Sequence, residues 1–240
     1  VIAKKIISTH HEILFDWAEI HGKLSRIIYH TECPVKESYN TCALALSELA
    51  KKTGIKVILT GQGADELFGG YIGYRFDRFR AKFSQTNNSE TRHEEELREK
   101  LWGDKYLFYE NKFHQLKKIK TDFYSKRSNE LFQDFDCLNF ELINKDRIQG
   151  RHSVHKRSYL DFKLRLADHL LSDHGDKMNL ANSVEGRFPF LDINLVEFAK
   201  VIPPDLKISG YTEKYILKKI AQEFVPQKII DREKFAFRAP

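Results

Sequence analysis

The first third of the chain alternates helical periodicity with short apolar runs. The spacing of apolar positions predicts helices over 1–7, 17–30 and 39–53. Strands are predicted over 12–15 and 55–59, and the second run is apolar enough for a strand buried in a sheet. This order predicts one open, twisted α/β sheet that is incomplete, with its earlier strands expected before Val1.

From Tyr74 onward the pattern is almost entirely helical. Helices are predicted over 94–102, 105–120 and 156–172, with no further strand of comparable strength. The polar interval 84–91 predicts a mobile loop between the two parts. The chain is therefore expected to comprise an α/β portion over 1–83 and a largely helical portion over 92–240.

Basic and aromatic residues are interleaved over 112–127, a pattern that suits either nucleic acid or a solvated helix face. Net charge is +6 and the isoelectric point is near 9.0, so attraction to polyanions is allowed. However, Phe113, Leu116, Ile119 and Phe123 recur at spacings of three and four, which places the lysines on the opposite, wet face of a helix. The periodicity favours the solvated face over an RNA-binding surface.

Length and composition predict a cytoplasmic enzyme. The 240 residues, 41% of them hydrophobic, can bury a substantial core without disulfides. The three cysteines are odd in number and form no CxxC pair, which argues against a disulfide framework or a zinc ribbon. No apolar run approaches the roughly 20 residues that span a bilayer, and the first residues show no basic region followed by an apolar core and a small-residue cleavage site.

A glycine-rich segment, which we call the acidic turn (residues 60–70), follows the second predicted strand. Gly61 and Gly63 allow tight bending and close approach of a ligand to the backbone. Asp65 and Glu66 are hard oxygen ligands of the kind that Mg²⁺ prefers. Because open α/β sheets bind ligands at the carboxyl ends of their strands, the turn is a candidate active-site loop. The alternative is an ordinary strand-to-helix turn with solvated acids.

A second group of polar residues lies near the end of the predicted helix 156–172. It consists of Asp168, His169, Asp173, His174 and Asp176. Zinc and iron sites need three or four convergent ligands, and the sequence guarantees no such convergence here. The pattern favours a polar helix end over a metal site.

Several segments, taken in order with the acidic turn, resemble asparagine synthetases that hydrolyse glutamine. These segments are STHHE (8–12), DKMNLANS (176–183), VEGRFPFLD (184–192), YTEKYILKKI (211–220) and PQKIIDREKFAF (226–237). The resemblance covers 1–240 and is to the carboxy-terminal, ATP-dependent synthetase domain. It implies an α/β fold of the adenine nucleotide α-hydrolase (PP-loop ATP pyrophosphatase, or HUP) type. The family's pyrophosphate loop and amino-terminal glutaminase domain are absent from the chain.

The resemblance implies a carbon–nitrogen ligase that amidates aspartate to asparagine through β-aspartyl-AMP. ATP and Mg²⁺ would be required, AMP and pyrophosphate released, and ammonia supplied from glutamine by the glutaminase domain. A homodimer is also compatible with the family. The chain alone is expected to bind ATP weakly and to turn nothing over. The alternatives are an amidating or cyclising relative acting on a β-lactam precursor, peptide or sugar acid, and more remotely an RNA-binding or RNA-modifying protein of the same fold.

The resemblance also implies roles for charged residues. Asp65 would be the Mg²⁺ ligand, with Glu66 as a direct or supporting ligand. Lys214 would contact the leaving pyrophosphate and the charge that develops at the α-phosphate. Lys177 would be a second cation on the triphosphate.

Position 62 departs from the pattern of many family members, which have a glutamate there that handles a proton. The amide of Gln62 cannot take up that proton. The resemblance then leaves Glu66, water or phosphate as the base, with Gln62 orienting the nucleophile or the acyl group.

The remaining site residues predicted from the resemblance surround the nucleotide and the acceptor. Gly61 and Gly63 would lie against ATP or pyrophosphate. Tyr71 and Arg187 are assigned to the substrate side. Arg187 has an alternative role, in which it pairs with Glu185 and holds its own loop.

Overall fold

A computed structural model describes residues 2–35, 37–83, 89–107, 113–132 and 135–232. The chain divides into two compact units. The first unit combines Val1–Gly70 with Asp161–Pro240, and the second is Tyr71–Leu160. Both ends of the chain thus contribute to one unit, a division that differs from the portions 1–83 and 92–240. The domain assignment drawn from the resemblance stays a prediction.

The first unit is built from short helices around one small sheet. Its α-helices are α1 (Ile2–Lys5), α2 (Trp17–Thr31), α3 (Asn40–Lys52), α4 (Ala64–Phe68), α10 (Lys177–Leu180), α11 (Ile193–Val201), α12 (Pro204–Lys207), α13 (Tyr215–Ala221) and α14 (Gln227–Ile230). A 3₁₀ turn covers Pro189–Leu191. The predicted helices over 17–30 and 39–53 are confirmed as α2 and α3. Asp16 caps α2, because its side chain accepts a hydrogen bond from the backbone N–H of Glu19.

The second unit contains helices, connecting turns and no strand among its described residues. Its α-helices are α5 (Ile72–Phe83), α6 (Ser89–Trp102), α7 (Phe113–Phe123), α8 (Lys126–Phe132) and α9 (Ser153–Asp161, whose last residue belongs to the first unit), and 3₁₀ turns cover Cys137–Asn139 and Lys145–Arg147. The predicted helix 94–102 is confirmed within α6. The prediction for 105–120 is wrong at its start, where 105–107 are non-helical, and 108–112 lie outside the described residues.

Two sequence-based expectations for this unit need correction. The predicted loop 84–91 is wrong at 89–91, which are the first residues of α6, and 84–88 lie outside the described residues. The helix expected around Phe113 is present, but its apolar stripe is not buried along its length. The ring centroids of Phe113 and Trp102 lie 6.1 Å apart. Phe123, in contrast, is 84% exposed, because no described element covers the end of α7.

The sheet in the described residues has two parallel strands, β1 (Val57–Leu59) and β2 (Glu185–Arg187). Ile58 lies opposite Gly186, and Leu59 opposite Arg187. The predicted strand at 55–59 is therefore confirmed in its last three residues. The predicted burial of this strand is wrong, because Leu59 is 72% exposed. One edge of β1 pairs with β2, and its other edge has no strand among the described residues.

Two further strand predictions are wrong. The segment 12–15 has no regular secondary structure and pairs with no strand in the described part of the chain, and none of its residues is buried. Conversely, β2 contradicts the expectation that no strand follows Tyr74. Glu-Gly-Arg carries no apolar alternation, so periodicity could not identify it; the strand forms because Gly186 lets β2 lie against Asn179, where a Cβ would overlap the amide.

Two apolar clusters hold the first unit together. One contains Leu67 and Phe68 of α4 with Ala199 and Ile202, which lie in and just after α11. The other contains Ile27 of α2, Leu44 of α3 and Met178 of α10. The first cluster fixes the acidic turn against α11, while the second fixes α2 and α3 against α10.

The predicted helix 156–172 is confirmed, but most of it is not α-helical. After α9 the chain continues as a π-helix over Phe162–Asp176 and then re-enters α-helical geometry in α10. A π-helix has i→i+5 hydrogen bonds, which changes the residues that share a face. Across 2–35, 37–83, 89–107, 113–132 and 135–232, no helix has both the length and the apolar character needed to cross a bilayer.

Candidate active site at the acidic turn

The acidic turn leaves β1 directly toward a short helix. The backbone N–H of Thr60 donates to the carbonyl of Arg187 at 2.9 Å, which extends the parallel pairing by one residue. Gly63 then adopts a left-handed conformation with φ of 92° and begins α4. A side chain at this position would overlap Leu191, so both backbone conformation and packing require glycine. The turn thus presents the first residues of α4 at the carboxyl end of the strand.

Asp65 and Lys214, which are distant in sequence, meet at this end of β1. The carboxylate Oδ1 of Asp65 lies 2.8 Å from Nζ of Lys214. Their side chains are 17% and 23% exposed respectively, so the pair is largely shielded from solvent. Two oppositely charged groups are therefore held at one point, where the resemblance placed a metal ligand and a phosphate-binding cation.

The backbone at Lys214 is held in an uncommon conformation. Lys214 is left-handed, with φ of 49°, and forms the residue that precedes α13. For a non-glycine residue this costs about 1–2 kcal/mol. The next ion pair helps to hold this segment, since Nζ of Lys218 lies 3.0 Å from a carboxylate oxygen of the buried Glu213. Strain of this kind persists only where surrounding contacts determine the conformation.

Gly70 makes the close approach of the ion pair possible. A Cβ at this position would overlap both Oδ1 of Asp65 and Cε of Lys214. The backbone N–H of Gly70 also donates to the carbonyl of Asp65 at 2.8 Å. Gly70 therefore packs its bare backbone against the two charged side chains.

The two adjacent acids of the turn have different surroundings. Glu66 is 1% exposed and lies within α4 beside the core residues Leu67 and Phe68. Neighbouring residues on a helix do not face the same direction, so Glu66 does not extend the exposed face of Asp65. Asp65 is thus partly exposed beside Lys214, whereas Glu66 is buried.

A second loop, at the carboxyl end of β2, packs on the acidic turn. Leu191 lies over Gly63, and the ring of Phe190 lies 6.3 Å from that of Phe68 in an edge-on arrangement. Asp192 then caps α11, accepting hydrogen bonds from the backbone N–H groups of Asn194 and Leu195. The segment VEGRFPFLD thus supplies a strand, an apolar cover and a helix cap.

Arg187 forms an ion pair with its neighbour on β2. Its Nε donates to Oε1 of Glu185 at 2.7 Å, and both side chains are well exposed. This hydrogen bond and the charge attraction lower the pKa of Glu185 and raise the pKa of Arg187. The alternative expectation, an internal pair, matches this geometry, while a role on the substrate side stays a prediction.

Lys177 is bound elsewhere in the first unit. Its ammonium group donates to the carbonyl of Thr31 at 2.6 Å and to Oδ1 of Asp173 at 3.2 Å. These contacts join the end of α2 to the end of the π-helix. The structure does not bring Lys177 into contact with Asp65, and its predicted contact with the triphosphate stays a prediction.

The remaining predicted residues differ in their surroundings. Gly61 is exposed, and a Cβ there would meet no atom within 4 Å, which leaves room beside this backbone. Gln62 is half-buried between the two glycines. Tyr71, the first residue of the second unit, stacks with Tyr74 at a ring-centroid distance of 6.5 Å.

A separate cavity of about 330 Å³ opens between α13 and α14. Its lining includes Tyr215, Lys218, Lys219 and Gln227 but neither member of the Asp65–Lys214 pair. The cavity therefore adjoins α13 without containing the candidate site.

Sequence reasoning missed three residues that build the site. Gly70 is required because its lack of a side chain admits Asp65 and Lys214. Leu191 and Glu213 escaped notice because each acts through packing or pairing with a residue in another loop. The doublet Gly69-Gly70 directly after a helix was the one available signal.

Comparison with known proteins gives a family match over the whole chain. The model of the asparagine synthase family matches residues 1–240. Amidase chry2 of Gibberella zeae is 27% identical, in an alignment that covers 96% of this chain and 39% of that protein. Amidase chyE of Penicillium rubens is 28% identical with the same coverage. Asparagine synthetase [glutamine-hydrolyzing] 1 of Bacillus subtilis is 29% identical over 92% of this chain and 36% of that protein. The chain thus spans less than two-fifths of the length of each relative.

Proposed function

The chain belongs to the asparagine synthase family, and we propose that it activates a carboxylate with ATP so that ammonia can form an amide. Family membership also implies a fold of the PP-loop ATP pyrophosphatase type, to which the α-rich architecture and the small parallel sheet conform. The observation that carries the proposal is the 2.8 Å approach of Asp65 and Lys214 at the carboxyl end of β1.

The first proposed step makes the acyl group reactive. An oxygen of the acceptor carboxylate attacks the α-phosphorus of ATP, and the bond to the bridging oxygen breaks as pyrophosphate leaves with its electron pair. Negative charge then grows on the departing pyrophosphate. Lys214 is suited to stabilise this charge, because its ammonium group is fixed by Asp65 and by the close backbone of Gly70.

The second proposed step forms the amide. Ammonia attacks the acyl carbon, AMP leaves with the electrons of the acyl–oxygen bond, and a proton passes from nitrogen to a base. Gln62 stands in the turn where it can orient the nucleophile by hydrogen bonds, but it cannot take up the proton. Water or phosphate is the proposed base, because Glu66 is buried beside the core.

The residues at the turn fit the Mg²⁺ ion expected with ATP. Mg²⁺ binds through one or two carboxylates, several waters and substrate phosphates, so one partly exposed carboxylate, that of Asp65, is a sufficient protein ligand. When bound, the ion would neutralise charge on the phosphates. Glu66 is buried, which makes it a supporting residue behind Asp65 in this proposal.

The proposed acceptor is aspartate, with ammonia derived from glutamine in another domain. The relationship to the Bacillus subtilis asparagine synthetase supports this choice. A second candidate is amidation of a different carboxylate, because the amidases chry2 and chyE are similar to this chain at nearly the same identity. In either case the chain is proposed to act in an assembly with the ammonia-supplying domain, and alone to bind ATP weakly without turnover.

Carboxylate-dependent exchange of labelled pyrophosphate into ATP tests the activation step. The assay uses the complete protein, including any segments outside these 240 residues. Asp65→Asn is expected to lower the exchange rate about 100-fold or more, because the metal ligand is lost. The control Asp176→Asn removes an exposed carboxylate at the end of the π-helix and should leave the rate unchanged. Equal exchange in Asp65→Asn and wild type would overturn the proposal.

The same assay with a panel of carboxylates distinguishes the two acceptors. Exchange that depends on aspartate supports asparagine formation, whereas exchange that depends on another carboxylate and not on aspartate supports the second candidate.

The role of Gln62 is tested by measuring the two half-reactions separately. Gln62→Ala is expected to slow amide formation more than pyrophosphate release. Equal losses in the two half-reactions would contradict the proposed orienting role.

A further inference from the structure

Glu37, His169 and His174, none of which belongs to the Asp65–Lys214 site, converge in the first unit. Nε2 of His169 lies 3.2 Å from Nε2 of His174 and 3.6 Å from Oε2 of Glu37. One ligand atom from each of the three residues lies within 4.8 Å of the others. His174 is 7% exposed, and the other two side chains are partly buried. We call these three residues the histidine cluster.

The π-helix explains why two histidines five positions apart share a face. In an α-helix, residues five apart point about 140° away from each other. The i→i+5 hydrogen bonds of a π-helix instead place them one above the other. His169 and His174 both lie within Phe162–Asp176, and their rings approach to a centroid distance of 4.4 Å. π-Helical segments occur frequently at functional sites.

The third ligand comes from the connection between α2 and α3. Glu37 lies in this connection, two residues before Tyr39, whose ring stacks on His174 at 4.0 Å. The hydroxyl of Tyr39 also lies 3.3 Å from Nε2 of His169. These contacts fix both imidazole rings and hold the connection against the π-helix.

We propose that the histidine cluster binds one divalent transition-metal ion, with zinc as the best match. Zinc binds histidine nitrogen at about 2.0–2.1 Å, so two ligand atoms of a tetrahedral site lie about 3.3 Å apart. The observed separations of 3.2 and 3.6 Å lie close to that value. Two imidazoles and one carboxylate form a set known in zinc sites and in non-haem iron sites. The fourth position is taken by water or by the neighbouring phenol of Tyr39.

The sequence favoured a polar helix end at these positions because it did not show the third ligand. Glu37 is remote from His169 and His174 along the chain, and its approach depends on packing of the α2–α3 connection. A metal ion here would tie that connection to the π-helix, from which α10 continues. The competing arrangement is a direct N–H···N hydrogen bond between the two imidazoles without metal.

Titration of the complete, untagged protein with zinc, measured by isothermal titration calorimetry, tests the site. Wild type is expected to bind one ion with high affinity. His169→Ala removes a direct ligand and is expected to weaken binding more than about 100-fold, beyond the effect typical of residues behind the ligands. Because His174 is buried and its loss can disturb folding, Glu37→Gln provides a gentler variant, since Glu37 is 39% exposed.

The control variant His21→Ala removes an exposed imidazole on α2 and should leave zinc binding unchanged. Cobalt(II) absorption in the visible region gives a second readout, because the spectrum reports the coordination geometry directly. A tetrahedral spectrum that is lost in Glu37→Gln and in His169→Ala supports the site. Absence of stoichiometric zinc binding, or equal affinity in Glu37→Gln, His169→Ala and wild type, would overturn the proposal and indicate the metal-free hydrogen bond.

Discussion

The acidic turn and the histidine cluster both unite residues that are far apart in the chain, but they do so by different means. Asp65 and Lys214 lie in segments that are each recognisable by their own residue pattern, and two regular parallel strands end beside the turn. His169 and His174 share a face only because their helix is π-helical. A site at the ends of parallel strands can be inferred from the order of the segments and their residue types. A site that depends on π-helical geometry cannot, because the sequence does not show that geometry.

The largest expected effect concerns Lys214, because the candidate site at the acidic turn depends on its fixed ammonium group. Lys214→Ala is expected to lower carboxylate-dependent pyrophosphate release about 10²–10³-fold, since charge on the leaving group loses its ammonium partner. The measurement is single-turnover release in the complete protein. Lys228→Ala, which removes an exposed lysine on α14, is the matched control. If Lys214→Ala only lowers the amount of folded protein, and the folded fraction releases pyrophosphate at the wild-type rate, this role is contradicted.

The second effect concerns Lys207, a lysine that differs from Lys214 in lacking an exposed face. Lys207 is 2% exposed at the end of α12, and burial lowers its pKa from 10.5 to about 8. Between those pH values the unfolded chain binds more protons than the folded one, so the free energy of unfolding should rise with pH through that window. Across the whole window, this single lysine is expected to raise the free energy of unfolding by on the order of 3 kcal/mol.

Chemical unfolding at pH 7, 8, 9 and 10 measures this dependence. Lys207→Met should remove the rise attributable to Lys207 and should be more stable than wild type near pH 7. Lys228→Met accounts for titration of an ordinary surface lysine. Parallel pH profiles for wild type and Lys207→Met would show that Lys207 remains charged in the folded protein.

The third effect tests the close packing behind the acidic turn. Gly70→Ala would bring a methyl group into the space of Asp65 and Lys214 and is expected to destabilise the fold by about 1–3 kcal/mol. Gly61→Ala is a matched substitution at the start of the acidic turn, where a Cβ meets no atom within 4 Å. It should change the free energy of unfolding by less than about 0.5 kcal/mol. Urea unfolding of both variants measures the difference, and equal destabilisation would mean that the ion pair does not limit the space at Gly70.

The smallest effect separates the two roles considered for Arg187. Because its guanidinium is paired with Glu185 on an exposed strand, Arg187→Ala is expected to change KM for the acceptor carboxylate by less than about fivefold. Steady-state kinetics at saturating ATP measure this, with Lys200→Ala as a control on another exposed ion pair. A much larger rise in KM, without change in kcat, would instead place Arg187 on the substrate.

The sequence allowed the site to be predicted further than the fold around it. Local patterns identified α2, α3 and β1, since helical periodicity and a β-branched run are both readable within one segment. They failed for β2 because Gly186 and its two charged neighbours have no apolar alternation, and the strand exists through pairing with β1. They failed for the segment 12–15 because an extended apolar pattern does not supply a partner strand.

Within the site, residue type predicted chemistry but not surroundings. Asp65 and Glu66 looked equivalent along the chain, yet the first turn of α4 directs one to Lys214 and buries the other. Lys177 and Lys214 were both expected at the triphosphate, but Lys177 is held by Thr31 and Asp173. Within each pair, the two residues have the same charge and both lie in a family motif. Only tertiary packing distinguishes them.

The parallel register of β1 and β2 makes the candidate site sensitive to chain length. With Leu59 opposite Arg187, both strands release their loops at the same level, and this is what seats Leu191 on Gly63. Inserting one residue into either strand would shift one loop by about 3.3 Å and reverse the faces of its side chains. Natural variation in this part of the molecule should therefore consist of substitutions, with insertions and deletions confined to segments beyond Asp192.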